Sequence, residues 1–186
     1  MTNEFLYIIM VGLPARGKST LTGKLSESLR RDGISTWIFN NGDLRRRLSK
    51  ENTSYPEFFN PKNKAAAALR ERYAIMNLNH AKTFIERGRR RKKVAIIDAA
   101  NVSAKRRRML LSALPEDRVL FIECINNDEE IIEANIRYKV DTPEFANITK
   151  KAAIAGFKKR ISYYEGIYRP LHREQSFIKV DTFNYA

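Results

Sequence analysis

Short apolar runs alternate along the chain with longer segments of helical periodicity. The clearest runs cover residues 5–11, 94–97 and 119–122, and weaker ones cover 36–39 and 177–180. Runs of this length that are apolar at nearly every position are typical of strands buried on both faces of a parallel sheet. The pattern therefore predicts five strands, of which the first three are the most strongly marked.

Between the strands, apolar residues recur at helical spacing. Leu21, Leu25 and Leu29 repeat every four residues after the first strand. Two longer stripes predict further helices, one through Leu69, Tyr73, Met76, His80 and Phe84 and the other through Ile154, Phe157, Ile161, Tyr164 and Tyr168. This alternation predicts an α/β fold with a mainly parallel central sheet and helices on both faces, whose ligands bind beyond the carboxyl ends of the strands. Because the sequence shows no internal repeat and no Gly/Ser- or proline-rich linker, we expect a single domain over residues 1–186.

A phosphate-binding loop follows the first strand. Eight consecutive residues fit the P-loop pattern G-x-x-x-x-G-K-[ST] in full, and Thr20 follows them: Gly12, Leu13, Pro14, Ala15, Arg16, Gly17, Lys18 and Ser19. The strand before the pattern and the amphipathic helix after it are the context that a P-loop needs. In such a loop, backbone N–H groups surround the β-phosphate, the lysine reaches the β- and γ-phosphates, and the serine hydroxyl binds Mg²⁺. We therefore expect the chain to bind a nucleoside triphosphate with Mg²⁺.

A carboxylate ends the strand predicted at residues 94–97. Asp98 could hold the Mg²⁺ shell or orient an attacking hydroxyl, and the alternative is that it only caps the following helix. We favour the functional interpretation because this strand emerges beside the P-loop in such an architecture. A P-loop alone does not separate a motor, a switch and a kinase, but the small size of the chain favours a small-molecule kinase of the nucleoside-monophosphate type.

The chain is strongly basic. Its 35 Lys and Arg against 21 Asp and Glu give a net charge of +14, which favours anionic partners such as nucleotides, sugar phosphates, nucleic acid or acidic lipid. The single cysteine, Cys124, excludes an intrachain disulfide, and two histidines argue against a Cys/His zinc site. This cysteine usage favours a reducing, cytoplasmic setting. We expect no membrane partner, because the apolar run at residues 5–11 is far too short to span a bilayer.

The motifs resemble the kinase part of the bifunctional 6-phosphofructo-2-kinase/fructose-2,6-bisphosphatase family. The P-loop with Pro14, Ala15 and Arg16 inside it, followed by the Arg45-Arg46 block, is a fairly specific combination. The likeness covers nearly the whole chain and continues through residues 39–46, 58–61, 98–101, 106–107, 134–136, 139–145, 159–165, 168 and 177–180.

The resemblance implies transfer of the γ-phosphoryl group of ATP to the 2-hydroxyl of fructose 6-phosphate. Lys18, Asp98 and Lys139 would be catalytic, Ser19 and Asp98 would hold Mg²⁺, and the segment from Asn135 to Lys139 would close over ATP. Residues that would surround the sugar phosphate are Arg45, Arg70, Ala100, Arg106, Lys139, Arg160 and Tyr164. At position 100 the family usually has a threonine, and the family's cysteine near the end of the fourth strand aligns with Asn126. The sequence holds no Arg-His-Gly triplet, so we expect no histidine-phosphatase part within these residues.

Elementary chemistry agrees with part of this assignment. Guanidinium groups bind phosphate bidentately, and Arg160 and Tyr164 are four residues apart on one helical pattern, so they can face the same cleft. Without the resemblance, Tyr164 also fits a core position, and the basic residues at 45–47 and 106–108 also fit a solvated surface. Residues 139–149, with Pro143 and few apolar side chains, predict a mobile lid that excludes water.

Other functions remain open at this stage. The chain could be a kinase for another phosphorylated small molecule, a polynucleotide 5′-kinase, or a non-catalytic ATP-dependent RNA-binding or regulatory module. Binding of single-stranded nucleic acid usually combines basic residues with interleaved aromatics, and the runs at residues 87–93 and 105–108 contain none. A nucleic-acid partner is therefore disfavoured, and we expect residues 87–93 to form a solvated turn. The sequence does not indicate an oligomeric state.

Overall fold

A parallel sheet of five strands organises the described part of the chain. The computed structural model describes residues 4–49, 52–87, 92–172 and 176–183. The strands lie in the order β2-β3-β1-β4-β5 and are all parallel to their neighbours; they are β1 (Glu4–Val11), β2 (Ser35–Asn40), β3 (Lys92–Asp98), β4 (Val119–Ile125) and β5 (Phe177–Asp181). All five predicted strands are confirmed, and the most apolar of them, β1, lies at the centre.

Six α-helices connect or follow these strands within the described residues. They are α1 (Lys18–Arg31), α2 (Asn41–Leu48), α3 (Lys64–Glu86), α4 (Ala104–Leu111), α5 (Glu129–Val140) and α6 (Lys150–Glu165). Side-chain oxygens cap the N-termini of the last five; the capping residues are Asn40, Asn63, Ser103, Asp128 and Thr149. Over the described ranges, none of these helices combines the length and apolarity that crossing a bilayer requires.

The two faces of the sheet bury different helices because successive residues of a strand point to opposite sides. Ile9 and Val11 of β1 lie in one core cluster, which also contains Leu78 of α3 and Leu110 of α4. Ile8 and Met10 lie in another cluster, against which Leu21, Leu25 and Leu29 of α1 pack. Helices therefore cover both faces, as predicted, and the carboxyl ends of the strands remain free to form a site.

Two residues of the predicted helical stripes do not occupy the expected positions. Tyr168 lies beyond the end of α6, where the chain has turned back, and its hydroxyl donates to Glu123 Oε1 at 2.6 Å. His80 is on α3 but exposed, because the helix face that packs against the sheet runs through Leu78, Ala81 and Ile85 instead. The periodicity therefore predicted the two helices correctly, but the predicted positions of Tyr168 and His80 on their packed faces are wrong.

The basic runs are less solvated than their charge indicates. Lys93 is buried, and its ammonium donates to the backbone carbonyl of Ile85 at 2.6 Å, so it binds the C-terminal end of α3. Arg107 is also buried and donates to the carbonyls of Val102 and Arg169. The expectation of a solvated turn is therefore wrong for Lys93, and residues 88–91 of that run lie outside the described residues.

Candidate active site

The P-loop occupies the turn between β1 and α1, as the pattern predicts. Gly12 has φ 140°, and a Cβ there would lie 2.5 Å from the carbonyl oxygen of Cys124, while its N–H donates to the carbonyl of Ala100 at 2.9 Å. Gly17 has φ 69° at the residue before α1, in the left-handed region that glycine adopts without strain. Both glycines are thus required by the backbone path, which ends at the N-terminus of α1.

Lys18 is folded back into the loop. Its ammonium donates to the carbonyl of Leu13 at 2.6 Å, across the turn that is expected to surround a phosphate. Burial lowers the pKa of Lys18 to about 8, and the negative charge of Asp98 opposes this shift. A bound polyphosphate would place further negative charge beside this ammonium and so raise the pKa of Lys18, which favours the charged form.

Asp98 and Ser19 meet at the carboxyl ends of the central strands. The Ser19 hydroxyl donates to Asp98 Oδ2 at 2.9 Å, and the Asn40 side-chain amide donates to the same oxygen at 2.7 Å. Asp98 is only 4% exposed. A carboxylate and a hydroxyl oxygen side by side next to a phosphate-binding loop form the kind of partial, all-oxygen site that Mg²⁺ occupies together with phosphates and water. The residues present therefore fit a magnesium ion.

A cavity of about 520 Å³ extends from the P-loop across the sheet to α3, α4 and α6. Sixteen of the predicted site residues line it: Pro14, Ala15, Arg16, Gly17, Lys18, Ser19, Thr20, Arg45, Arg70, Asp98, Ala100, Arg106, Asn135, Lys139, Arg160 and Tyr164. Gly12 and Leu13 belong to the same loop but not to the lining. Residues predicted to bind ATP and residues predicted to bind the acceptor thus share one cavity.

The wall of this cavity away from the P-loop is densely cationic. Burial lowers the pKa of Arg160 to about 10, and the Arg160 guanidinium carbon lies 3.8 Å from the centroid of the Phe59 ring. Its Nε atom is buried, and no atom of the described residues accepts a hydrogen bond from it. Burial also lowers the pKa of Arg70, Arg106 and Lys139. Desolvated cations with unused hydrogen-bonding capacity indicate a site for an anionic ligand.

Glu144 partly neutralises this wall. Its side chain is 3% exposed and accepts hydrogen bonds from Arg45, from Arg46 at 2.7 Å and from the Ser54 hydroxyl at 2.6 Å. Burial alone raises the pKa of Glu144, but the charge of Arg45, the Ser54 hydrogen bond and the charge of Arg46 outweigh it and hold the pKa at about 2. Arg45 therefore enters the cavity wall already paired with a carboxylate.

The segment expected to close over ATP lies beside the P-loop. The Asn135 amide donates to the carbonyl of Ala15 at 3.1 Å, and Lys139 follows one turn later on α5. Tyr138 lines the cavity although it is 80% exposed. Asn135 thus contacts the P-loop, and Tyr138 and Lys139 of the same helix line the cavity.

The departures from the family pattern are also located. Ala100 lines the cavity, directly after Asp98 and Ala99. Asn126 is buried, with its side-chain oxygen accepting from the backbone N–H of Asp128. Cys124 is buried, and burial raises the pKa of its thiol to about 11, so it is an unreactive thiol at neutral pH.

Sequence reasoning assigned no role to Asn40 and Glu144, two polar residues that contact predicted site residues. Asn40 gave a local signal, because an asparagine before a helix predicts an N-cap, but its contact with Asp98 depends on the pairing of β2 with β3. Glu144 gave no signal, because an isolated acidic residue in a polar segment predicts a solvated side chain. Both roles arise from long-range contacts.

A P-loop on a five-stranded parallel sheet, a Ser–Asp pair at the carboxyl ends of the strands and an adjoining cationic cavity define a P-loop kinase. A sequence model of 6-phosphofructo-2-kinase matches residues 1–185, and the chain belongs to the 6-phosphofructo-2-kinase family. The solved structure of the APS kinase of Mycobacterium tuberculosis superposes with a TM-score of 0.55 at 15% identity, over 97% of this chain and 91% of that one. At that identity the likeness concerns the fold.

Two curated relatives are bifunctional enzymes. The chain is 36% identical over 190 residues to 6-phosphofructo-2-kinase/fructose-2,6-bisphosphatase 3 of Rattus norvegicus, an alignment that covers 97% of this chain and 33% of the relative. It is 38% identical over 190 residues to 6-phosphofructo-2-kinase/fructose-2,6-bisphosphatase 1 of Bos taurus, which covers 96% of this chain and 39% of the relative. The chain thus spans between a third and two-fifths of the length of these two proteins.

Proposed function

We propose that the chain transfers the γ-phosphoryl group of ATP to the 2-hydroxyl of fructose 6-phosphate and so forms fructose 2,6-bisphosphate. The observation that carries the proposal is the single cavity in which the P-loop and Asp98 face Arg70, Arg106 and Arg160. A phosphate on the sugar complements these cations, because guanidinium groups bind phosphate strongly and with defined geometry.

The ATP half of the site consists of the P-loop, Ser19 and Asp98. Lys18, whose ammonium now donates to the carbonyl of Leu13, would contact the β- and γ-phosphates, and Asn135 of α5 donates to the carbonyl of Ala15 in the loop. Ser19 and Asp98 would hold Mg²⁺, which supplies charge neutralisation between the phosphates when it is bound. Phosphoryl transfer proceeds through a loose, highly charged transition state, so positioning and charge stabilisation do most of the catalytic work.

The acceptor half would position the sugar hydroxyl toward Asp98. Arg70, Arg106 and Arg160 would bind the 6-phosphate, with Arg45 held in the same wall by Glu144. Lys139 lines the same cavity and would stabilise charge on the transferring group. Asp98 would orient the 2-hydroxyl or the metal, and a strong general base is not required because the transition state is loose.

Residues 139–149 are proposed to act as a lid over this site. The segment joins the end of α5 to α6, and Phe145 within it packs into the apolar cluster between these helices. Glu144 of the same segment contacts Arg45, which lines the cavity, and Ser54. A segment attached in this way would exclude water when it is closed, which limits wasteful ATP hydrolysis.

A screen of acceptors tests the proposal. ADP release from ATP is measured with Mg²⁺ and, in separate reactions, fructose 6-phosphate, other hexose phosphates, a nucleoside monophosphate and a 5′-hydroxyl oligonucleotide. The largest kcat/KM is expected with fructose 6-phosphate. A higher value with the nucleoside monophosphate or the oligonucleotide would overturn the assignment of the acceptor.

The alanine at position 100 predicts weaker binding of the sugar than a threonine would give. A neutral hydrogen bond is worth about 0.5–1.5 kcal/mol, so Ala100→Thr is expected to lower the KM for fructose 6-phosphate by about two- to tenfold and to leave the KM for ATP nearly unchanged. Ala100→Val is the matched control, since it adds the same volume without the hydroxyl. No gain in the threonine variant, together with a better acceptor found in the screen, would show that the pocket serves another sugar phosphate.

Arg70 and Arg160 are expected to determine binding of the acceptor far more than binding of ATP. Loss of one charge-assisted contact costs roughly 1.5–3 kcal/mol, so Arg70→Ala and Arg160→Ala should each raise the KM for fructose 6-phosphate by about ten- to a hundredfold. Arg72→Ala and Lys159→Ala are the controls, because these side chains are exposed and do not line the cavity. If both cavity variants affected only the KM for ATP, the acceptor wall would be wrongly placed.

A further inference from the structure

The Asn40 side chain connects two parts of the site that have separate tasks. Its amide nitrogen donates to Asp98 Oδ2 at 2.7 Å, and its oxygen Oδ1 accepts from the backbone N–H of Asp43 at 3.0 Å. The first contact reaches the carboxylate at the end of β3. The second caps α2, the helix that carries Arg45 and Arg46 into the cavity.

The orientation of this amide follows from its partners. A backbone N–H only donates, so the atom that faces Asp43 must be the amide oxygen, and the amide nitrogen must then face the other way. The carboxylate of Asp98 accepts hydrogen bonds, as that direction requires. Because Asn40 and Asp98 are also paired residues of neighbouring parallel strands, their backbones fix the spacing between the two side chains.

The contact also determines which oxygen of Asp98 is left for ligands. Ser19 and Asn40 both donate to Oδ2. Within the described parts of the chain, no residue donates a hydrogen bond to Oδ1. These two donors come from different elements, Ser19 from α1 and Asn40 from the end of β2, and together they hold the carboxylate plane in place. The remaining oxygen then faces ligands in a fixed orientation, which is how hydrogen-bond partners of reactive or metal-binding carboxylates act.

We propose that Asn40 is a positioning residue for phosphoryl transfer, which orients Asp98 and ties that orientation to the helix that carries the acceptor-binding arginines. The proposal rests on the proposed kinase function and adds a residue to it. It predicts that loss of the donor affects turnover, whereas loss of the cap affects stability. The two losses can be separated, because serine is as good an N-cap as asparagine but its hydroxyl is too short to keep the contact with Asp98.

Asn40→Ser and Asn40→Ala separate the two roles, with Asn63→Ser and Asn63→Ala as matched cap variants on α3. Asn63 accepts from the backbone N–H of Ala66 and has no contact with Asp98. For each variant, kcat, both KM values, the slow hydrolysis of ATP by water and the thermal midpoint are measured. Asn40→Ser is expected to lower kcat by roughly ten- to a hundredfold, with both KM values within about twofold and the midpoint unchanged.

The other variants complete the pattern. Asn40→Ala is expected to show the same loss of kcat and also a midpoint lower by about 2–4 °C, while Asn63→Ala shows only the lower midpoint. A wild-type kcat in Asn40→Ser would mean that Asn40 is only a helix cap, and it would overturn the proposal. An effect confined to the KM for the acceptor would overturn it too.

If the wild-type chain hydrolyses ATP but rejects fructose 6-phosphate, the proposed acceptor fails. The ratio of hydrolysis rates between Asn40→Ser and wild type then still decides the role of Asn40. A wild-type chain that transfers phosphate neither to an acceptor nor to water overturns both.

Discussion

Lys18→Met is expected to lower kcat by at least about a hundredfold while the protein stays folded. Lys18 is the P-loop residue whose ammonium donates to the carbonyl of Leu13 across the turn, where we propose that the phosphates bind, and a preorganised charge of this kind is worth roughly 10²–10³ in rate. The fold should tolerate methionine, because burial already disfavours the charged ammonium at this position. The measurement is ADP release at saturating substrates, together with the thermal midpoint.

The control for this variant is Lys24→Met, an exposed lysine on the same helix that does not line the cavity. It should keep wild-type kcat and midpoint. Normal turnover in Lys18→Met would remove the P-loop from the mechanism. An equal loss in Lys24→Met would show that the effect comes from α1 as a whole and not from the phosphate contact.

Glu144→Gln is expected to destabilise the protein more than the substitutions of Lys18 or Asn40. The substitution leaves the buried charge of Arg45 without its carboxylate, and breaking a buried ion pair from one side costs about 3–5 kcal/mol. For a chain of this size that corresponds to a thermal midpoint lower by about 6–20 °C. Glu144→Asp keeps the charge on a shorter side chain and should lose less.

Glu27→Gln is the matched control, because Glu27 forms an exposed ion pair with Arg31 on the surface of α1. Pairs of that kind contribute little, so the midpoint should not change measurably. A midpoint for Glu144→Gln equal to that of the control would mean that Arg45 does not depend on Glu144, and the cationic wall would need another explanation.

The same carboxylate predicts a pH dependence with a defined sign. The pKa of Glu144 falls from 4.5 to about 2 on folding, so its contribution to stability is fully present above about pH 4.5 and is lost as the pH falls toward 2. The difference in stability between wild type and Glu144→Gln should therefore shrink steadily below pH 4.5. Chemical unfolding at several pH values measures it, and a difference that stays constant down to pH 2 would contradict the assignment.

The parts of the fold that depend on local sequence were predictable. The five strands, the P-loop and the helix after it follow from apolar runs and a short motif, and all are confirmed. The exact helix face and helix end were not, as His80 and Tyr168 show, because both depend on how a helix packs and on where the chain turns back. Periodicity alone does not contain that information.

The candidate site divides in the same way. Lys18 and Ser19 follow from the motif itself, whereas Arg70 and Arg160 could be assigned only through the resemblance to a family, because each alone looks like a surface arginine. The resemblance extends over position 144 but gave Glu144 no role, since its burial depends on contacts between residues far apart in sequence. The contacts that hold a site in shape are therefore the last to be predicted.

The identity of the reaction product decides whether the chain phosphorylates fructose 6-phosphate at C2. The wild-type chain is incubated with ATP, Mg²⁺ and fructose 6-phosphate, and the phosphorylated sugar is identified by ³¹P and ¹³C NMR. We expect one fructose 2,6-bisphosphate for each ADP, with the new phosphate on C2 and no product from Lys18→Met. ADP formed without any bisphosphate, or a phosphate on another carbon, would contradict the central claim.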